Sequence, residues 1–183
     1  MRVFVGILLP EALWGAVAAL QGALGCGRPV AEEALHLTLA YLGEVDLPDL
    51  ERLHEEISAL PLAPFEVVMA GLDVIEAGDR TRALVLRLRP SPALEALQAK
   101  LVQAVRRAGL DLERRRFRPH VTIVRFGKAL GETQAARLGH LLESRGDVVL
   151  PAWRVTGFSL IRSHLGREGA QYEVLADYPE PLR

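Results

Sequence analysis

Two tetrapeptides, His36-Leu37-Thr38-Leu39 and His120-Val121-Thr122-Ile123, repeat one pattern: histidine, apolar residue, threonine, apolar residue. Two imidazoles on matching frames are the raw material for paired proton transfer. With a reference pKa of about 6.5, one can be neutral while the other is protonated near neutrality, which is the state that concerted acid-base attack needs.

The elements that must position these groups follow from their surroundings. Both runs are dense in Leu, Val, Ile and Tyr over a short span, which predicts strands. Side chains on a strand alternate between faces. Leu35, Leu37, Leu39 and Tyr41 are therefore expected on a helix-packed face, with His36, Thr38, Ala40 and Leu42 on the other. In the second run Val121 and Ile123 are expected inside, and His120 and Thr122 point together the other way. Residues two apart on a strand lie about 7 Å apart, so one imidazole and one hydroxyl can address neighbouring atoms of one small group. Two such strands offer four converging groups, a number that suits a tetrahedral phosphate.

These residues and their flanks resemble the two-histidine phosphoesterases, and within them the bacterial and archaeal RNA 2',3'-cyclic phosphodiesterase family, long called 2'-5' RNA ligases. The resemblance runs nearly end to end. It takes in Met1-Arg2-Val3-Phe4-Val5-Gly6-Ile7, the Leu35-to-Gly43 segment and Phe117-Arg118-Pro119-His120-Val121-Thr122-Ile123. It also takes in Arg162-Ser163-His164-Leu165-Gly166 and Tyr172-Glu173-Val174-Leu175. It implies an α+β, bilobal fold: two antiparallel sheets facing a central cleft, helices outside, and one His-Thr strand from each of two interleaved lobes within a single domain, 1–183.

By the same resemblance His36 is the general acid that protonates the departing 3'-oxygen, and His120 is the general base that activates water. Thr38 and Thr122 hold the phosphate, and the product is a 2'-phosphate. Reversible 2'-5' RNA ligation is implied as well. Arg125 stands where the family often carries a phosphate-binding arginine, yet five residues after His120 it faces the wrong side of a regular strand. It needs the strand to end or bulge near Val124. Arg118, Arg162 and His164 are secondary candidates. The segment Arg28-Pro29-Val30-Ala31-Glu32-Glu33-Ala34 lacks the aromatic residue expected there, which leaves base stacking without an assigned residue. The implied partners are RNA ends bearing 2',3'-cyclic phosphates, tRNA fragments among them. No cofactor, metal, ATP or membrane is implied, and a cytoplasmic monomer is expected.

Composition sets the bounds. The chain has 183 residues, half of them hydrophobic, enough for one compact unit or two small lobes sharing a cleft. A formal net charge of −1 does not indicate nonspecific binding of long nucleic acid. Local charge differs: Arg106, Arg107, Arg114, Arg115, Arg116, Arg118 and Arg125 crowd the approach to the second motif, either as a solvated face or as a phosphate-attracting rim for an RNA end. Lysine occurs only at 100 and 128 and asparagine is absent, consistent with GC-rich coding and a thermophilic source. Cys26 is the single cysteine, so an intrachain disulfide and a cysteine-based metal site are both excluded, and it reads as an inert loop residue. No His-Glu-x-x-His, EF-hand or phosphate-loop spacing occurs. The apolar run after Arg2 is too short and too soon interrupted by Pro10-Glu11 to read as a leader or a membrane span.

Along the chain, residues 2 to 9 read as a strand, and Pro10 opens a helix with Leu13, Val17, Leu20 and Leu24 inward. The motif strand 35 to 42 follows. Asp46 and Pro48 start a second helix with Leu50, Leu53, Ile57 and Leu60 inward and His54 off the stripe, in solvent. Residues 64 to 75 and 81 to 89 read as paired strands. Ser91-Pro92 starts a third helix that Gly109 stops. The second motif strand spans 118 to 126, a helix near 132 to 144 carries His140 at the surface, and strands near 148 to 161 and 170 to 177 close the chain. Both halves share this order, with Gly43 and Gly127 trailing the motifs, which predicts an ancient duplication and a pseudo-twofold cleft. Other readings stay open. They are a related phosphodiesterase acting on a small cyclic nucleotide, on ADP-ribose cyclic phosphate or on a 2',5'-linked oligonucleotide, and a noncatalytic RNA-end binder. A purely structural domain is disfavoured, because no exposed apolar helix or heptad is present.

Overall fold

The computed structural model describes residues 1–112, 116–166 and 169–179; Arg114 and Arg115 of the arginine run lie outside them. Among the described residues the chain forms ten strands and four α-helices. These are β1 (Arg2–Leu8), α1 (Trp14–Leu24), β2 (Arg28–Pro29), β3 (His36–Glu44), α2 (Leu47–Ser58), β4 (Phe65–Val67), β5 (Met69–Ala77), β6 (Arg80–Leu88), α3 (Pro92–Arg107), β7 (His120–Arg125), α4 (Glu132–Arg145), β8 (Trp153–Val155), β9 (Phe158–Gly166) and β10 (Gly169–Tyr178).

α2 and α3 start where polar caps relieve the unpaired amides of a first turn. The Asp46 carboxylate accepts from the Asp49 amide at 2.9 Å, and Ser91 Oγ accepts from the Leu94 amide at 3.3 Å. Both helices carry a proline in that turn, where the missing N–H costs nothing. Gly109 then leaves α3 with φ of +82°, a conformation that disfavours any residue with a Cβ. Before α1, a 3-10 turn at Glu11–Leu13 takes up the residues that follow Pro10.

The sheet is antiparallel throughout, in the order β10-β9-β1-β3-β7-β6-β5 with β2 added to β7. Each motif strand lies at the inner edge of its own half. β3 closes the lobe β10-β9-β1-β3, and β7 belongs to the lobe formed with β6, β5 and β2. Among the described residues the halves meet at one strand pairing, Leu37 with Val121. The chain interleaves them, because the C-terminal hairpin β9–β10 returns to pair with β1. The α+β class, the antiparallel strands and the two-lobed arrangement match the expectation from sequence.

Three details depart from it. The strand expected at 64 to 75 is broken at Val68, because β4 leaves to pair with β8 in a separate two-stranded sheet. The strand expected at 148 to 161 is likewise split into β8 and β9. The side-chain alternation along β3 also fails after Leu39. There the pairing with β1 steps from Gly6↔Thr38 to Val5↔Ala40, so that Leu39 is an extra, bulged residue. Ala40 is consequently buried at 6% exposure and Tyr41 is open at 53%, the reverse of a regular strand.

One continuous apolar core lies on the helix side of the sheet. It takes Val3, Val5 and Ile7 from β1, Leu37 and Leu39 from β3, Val121 and Ile123 from β7, and the inward stripes of α1 to α4. No described helix is long and apolar enough to cross a membrane. His54 is not simply solvated: its Nδ1 lies 2.7 Å from the Tyr178 hydroxyl, which ties α2 to the end of β10. His140 is exposed on α4, as expected.

Leu37 is 1% exposed in this core and, among the described residues, sits at the only strand pairing between the lobes. Its replacement by alanine is expected to cost about 2–5 kcal/mol, from lost apolar burial plus the cavity left behind. A urea titration followed by circular dichroism checks this.

Candidate active site

The pairing of Leu37 with Val121 decides how the two motifs face each other. Extended one residue each way, an antiparallel register sets His36 opposite Thr122 and Thr38 opposite His120, all four on the face away from the helices. Each lobe thus offers its histidine to the other lobe's threonine, around a pseudo-twofold axis. All four residues are partly exposed, while the apolar residues between them are buried.

The same local device orients both imidazoles. His36 Nδ1 lies 2.7 Å from the Ala34 carbonyl, and His120 Nδ1 lies 2.7 Å from the Arg118 carbonyl, in each case the residue two positions upstream. A carbonyl oxygen can only accept, so each Nδ1 carries a hydrogen and donates it. In the neutral ring Nε2 is then the free acceptor; in the charged ring it is a second donor. Of Arg118, a secondary candidate from sequence, it is the backbone that acts on His120, and its side chain is exposed.

The two rings differ in their surroundings. Phe4 lies beneath His36 with ring centroids 4.7 Å apart, and Tyr172 of β10 meets it edge-on at 5.0 Å. Phe4 and Tyr172 also contact each other at 5.3 Å, closing a three-ring cluster. Phe4 is 3% exposed although it lies on the cleft face, opposite Tyr41. Desolvation in this cluster lowers the His36 pKa from its ordinary 6.5. The bond to Ala34 opposes that shift, while the positive charges of Arg125 and His120 reinforce it. That His120 and Arg125 act on His36 shows that the two motifs share one electrostatic environment.

Arg125 reaches that environment through a backbone irregularity. Between Val85↔Thr122 and Leu84↔Val124 the register of β6 and β7 slips, leaving Ile123 as an extra residue. Ile123 and Val124 are both buried as a result, and Arg125 returns to the open face. The bulge required by its sequence position is present, and it repeats the one at Leu39. Tyr41 is the corresponding residue of the first lobe.

Other residues were less visible in sequence. Arg87 stands directly opposite His120 on β6, half-exposed, with its Nε 3.8 Å from the Asp73 carboxylate. Only the pairing of β6 with β7 brings it there, and no local pattern marks it. Tyr172 lies in a stretch the resemblance had flagged, without a role. Together with Phe4 it supplies aromatic rings from β10 and β1, not from the segment before the first motif. Arg162 and His164 both turn to Glu173, at 3.7 and 2.8 Å. Glu173 follows Tyr172 and so lies on the opposite face of the hairpin. His164 and Arg162 hold the Glu173 carboxyl below its ordinary value, the hydrogen bond from His164 being the main cause. Among the described residues, no three His, Cys, Asp or Glu side chains converge as a metal site would require.

Hollows flank the motifs on both sides. One of about 150 Å³ lies between Arg28, Val30, Ala34, Arg125 and Tyr172, of which Ala34 and Tyr172 contact His36. A larger one, about 600 Å³, lies at the other end of β3, between Tyr41, Gln98, Arg106, Arg116 and Phe117.

Comparison with known proteins accords with this geometry. A family model described as the 2'-5' RNA ligase superfamily matches residues 9–167. The RNA 2',3'-cyclic phosphodiesterase of Bacillus subtilis is 30% identical over 178 residues, spanning 93% of this chain and 92% of that protein. The RNA 2',3'-cyclic phosphodiesterase of Thermus thermophilus is 31% identical over 192 residues, spanning 97% and 89%. The crystal structure of E. coli LigT complexed with 3'-AMP is 26% identical, with a TM-score of 0.73 over 97% of this chain and 96% of that one. Because the family match takes in both histidine strands and everything folded between them, the chain belongs to the 2'-5' RNA ligase superfamily.

Proposed function

We propose that this protein hydrolyses RNA 2',3'-cyclic phosphate ends to 2'-phosphates, with its own side chains as the only catalysts. The observation that carries the reading is the pairing of Leu37 with Val121, whose register crosses His36 with Thr122 and Thr38 with His120, each imidazole locked by its Nδ1 with Nε2 left for the cleft. Its relatives in B. subtilis and T. thermophilus bear the name of that activity.

In this scheme the reacting phosphorus lies between the two Nε2 atoms. His120 takes a proton from water as the water oxygen attacks phosphorus in line with the P–O3' bond. That bond breaks, and His36 delivers its Nε2 proton to O3'. The products are a 2'-phosphate and a free 3'-hydroxyl, and the two histidines have exchanged protonation states. The Thr38 and Thr122 hydroxyls and the Arg125 guanidinium hold the non-bridging oxygens as negative charge builds on them. With a 5'-hydroxyl in place of water as the nucleophile, the same steps join two RNA strands by a 2'-5' linkage, and their reversal cleaves that linkage.

The environment of His36 fits a proton donor that is charged by its substrate. In the empty cleft Arg125 and His120 oppose its protonation. An anionic phosphate placed among these three groups cancels that repulsion and raises the His36 pKa.

Three outcomes test the reading. His36→Ala and His120→Ala should each lower kcat on an oligonucleotide ending in a 2',3'-cyclic phosphate by about 10²- to 10⁴-fold, with little change in melting temperature. The pH profile should be bell-shaped. Because the His36 pKa is lowered in the empty cleft and raised by a bound anion, the optimum in kcat, which reports the complex, should lie at higher pH than the optimum in kcat/KM, which reports the free enzyme. Turnover should persist in excess chelator, because no step is assigned to a metal; loss of turnover that zinc or manganese restores would refute this.

A further inference from the structure

Arg125 is the common wall of two hollows, and only one of them is lined by residues that contact a motif histidine. That hollow takes in Ala34 and Tyr172, both in contact with His36, and is bounded by Arg28 and Arg125. Beyond them a second hollow of about 450 Å³ opens at the end of β7, lined by Gly27, Arg28, Arg82, Arg125, Phe126 and Gly127. Three arginines and no carboxylate line it. For a chain with a formal net charge of −1, that is a marked local concentration of one sign.

The backbone forces this clustering. Arg28 and Arg125 are direct cross-strand partners of β2 and β7, so their side chains leave on the same face, an apposition of like charges that is unfavourable by itself. The Arg82 carbonyl accepts from the Phe126 amide at 2.8 Å, which fixes Arg82 against the end of the same strand. Arg82 and Arg125 are both exposed, and neither is in salt-bridge contact with a carboxylate among the described residues. Gly27 keeps the site open. It has φ of +77°, and a Cβ there would lie 2.6 Å from Val124 Cγ1 and 2.7 Å from the Phe126 ring. β2 can approach β7 this closely only without that side chain.

We infer that this hollow binds the internal phosphodiester next to the cyclic end of an RNA strand, making the enzyme selective for oligonucleotides over cyclic mononucleotides. The inference rests on the function proposed above. A strand whose terminal phosphate lies between the histidines passes Arg28 and Arg125 on its way out, and its next phosphate meets Arg82. Guanidinium groups match phosphate oxygens in charge and in donor geometry.

Three substrates separate the possibilities: a nucleoside 2',3'-cyclic phosphate, a dinucleotide with the same end, and that dinucleotide with an uncharged methylphosphonate as its internal linkage. The wild type should favour the charged dinucleotide over the methylphosphonate by about tenfold in kcat/KM. Arg82→Ala should reduce that ratio to near one, and Arg82→Lys should restore part of it, since charge is kept while the planar fork is lost. Equal kcat/KM for the two dinucleotides with the wild type would overturn the inference without recourse to any variant. A uniform loss on all three substrates in Arg82→Ala would overturn it as well, by marking a structural role. If the wild type turns over none of the three, the functional reading itself is overturned, and this inference with it.

Discussion

The pairing of Leu37 with Val121 is the constraint on which the site depends. Two lobes, each with its own motif strand at the inner edge, are joined in the sheet at this position and, among the described residues, at no other. Because side-chain direction on a strand has a period of two, that register leaves the flanking histidines and threonines on one face. A slip by a single residue would turn one motif's pair into the helix-covered core. The apolar residues between the functional ones supply the reason the register holds. Leu37, Leu39, Val121 and Ile123 are all buried in one core, and moving either strand would expose them.

The pseudo-twofold relation extends to irregularities. Both motif strands carry a bulge at the residue after the threonine, Leu39 in one lobe and Ile123 in the other. Each bulge buries two consecutive residues and returns the third to the cleft face, where it presents Tyr41 on one side and Arg125 on the other. The neighbouring strands are also matched, with Leu8 opposite His36 and Arg87 opposite His120. The backbone is thus nearly symmetric, while the side chains at equivalent places are not: apolar or aromatic in the first lobe, cationic in the second.

The two imidazoles share one orienting bond and differ in what surrounds them. Donation from Nδ1 to the carbonyl two residues upstream is local and identical in both. It selects the nitrogen that faces the cleft. The packing of Phe4 and Tyr172 around His36 is long-range and belongs to one lobe only. It makes the charged form of His36 costly.

The sequence by itself determined which residues share a face of each motif strand and the alternation that displays them. A duplicated histidine-threonine pattern in strand-forming runs identified all four central residues, and the position of Arg125 demanded the bulge that the fold contains. Helix starts at Asp46 and Ser91 and the stop at Gly109 were equally legible, because caps and positive φ act within a few residues. What failed was of longer range. The exposure of Tyr41, the division of the strand near Val68, the tie between His54 and Tyr178 and the capture of Arg162 and His164 by Glu173 each depend on which strand or helix lies alongside. Tertiary structure alone decided that Tyr172 and Phe4 enclose His36, that Arg87 adjoins His120, and that Arg28, Arg82 and Arg125 gather at one end of β7. Those juxtapositions join residues tens of positions apart in the chain, and strand pairing, which is set by burial of the whole core, carries no signature in any one segment.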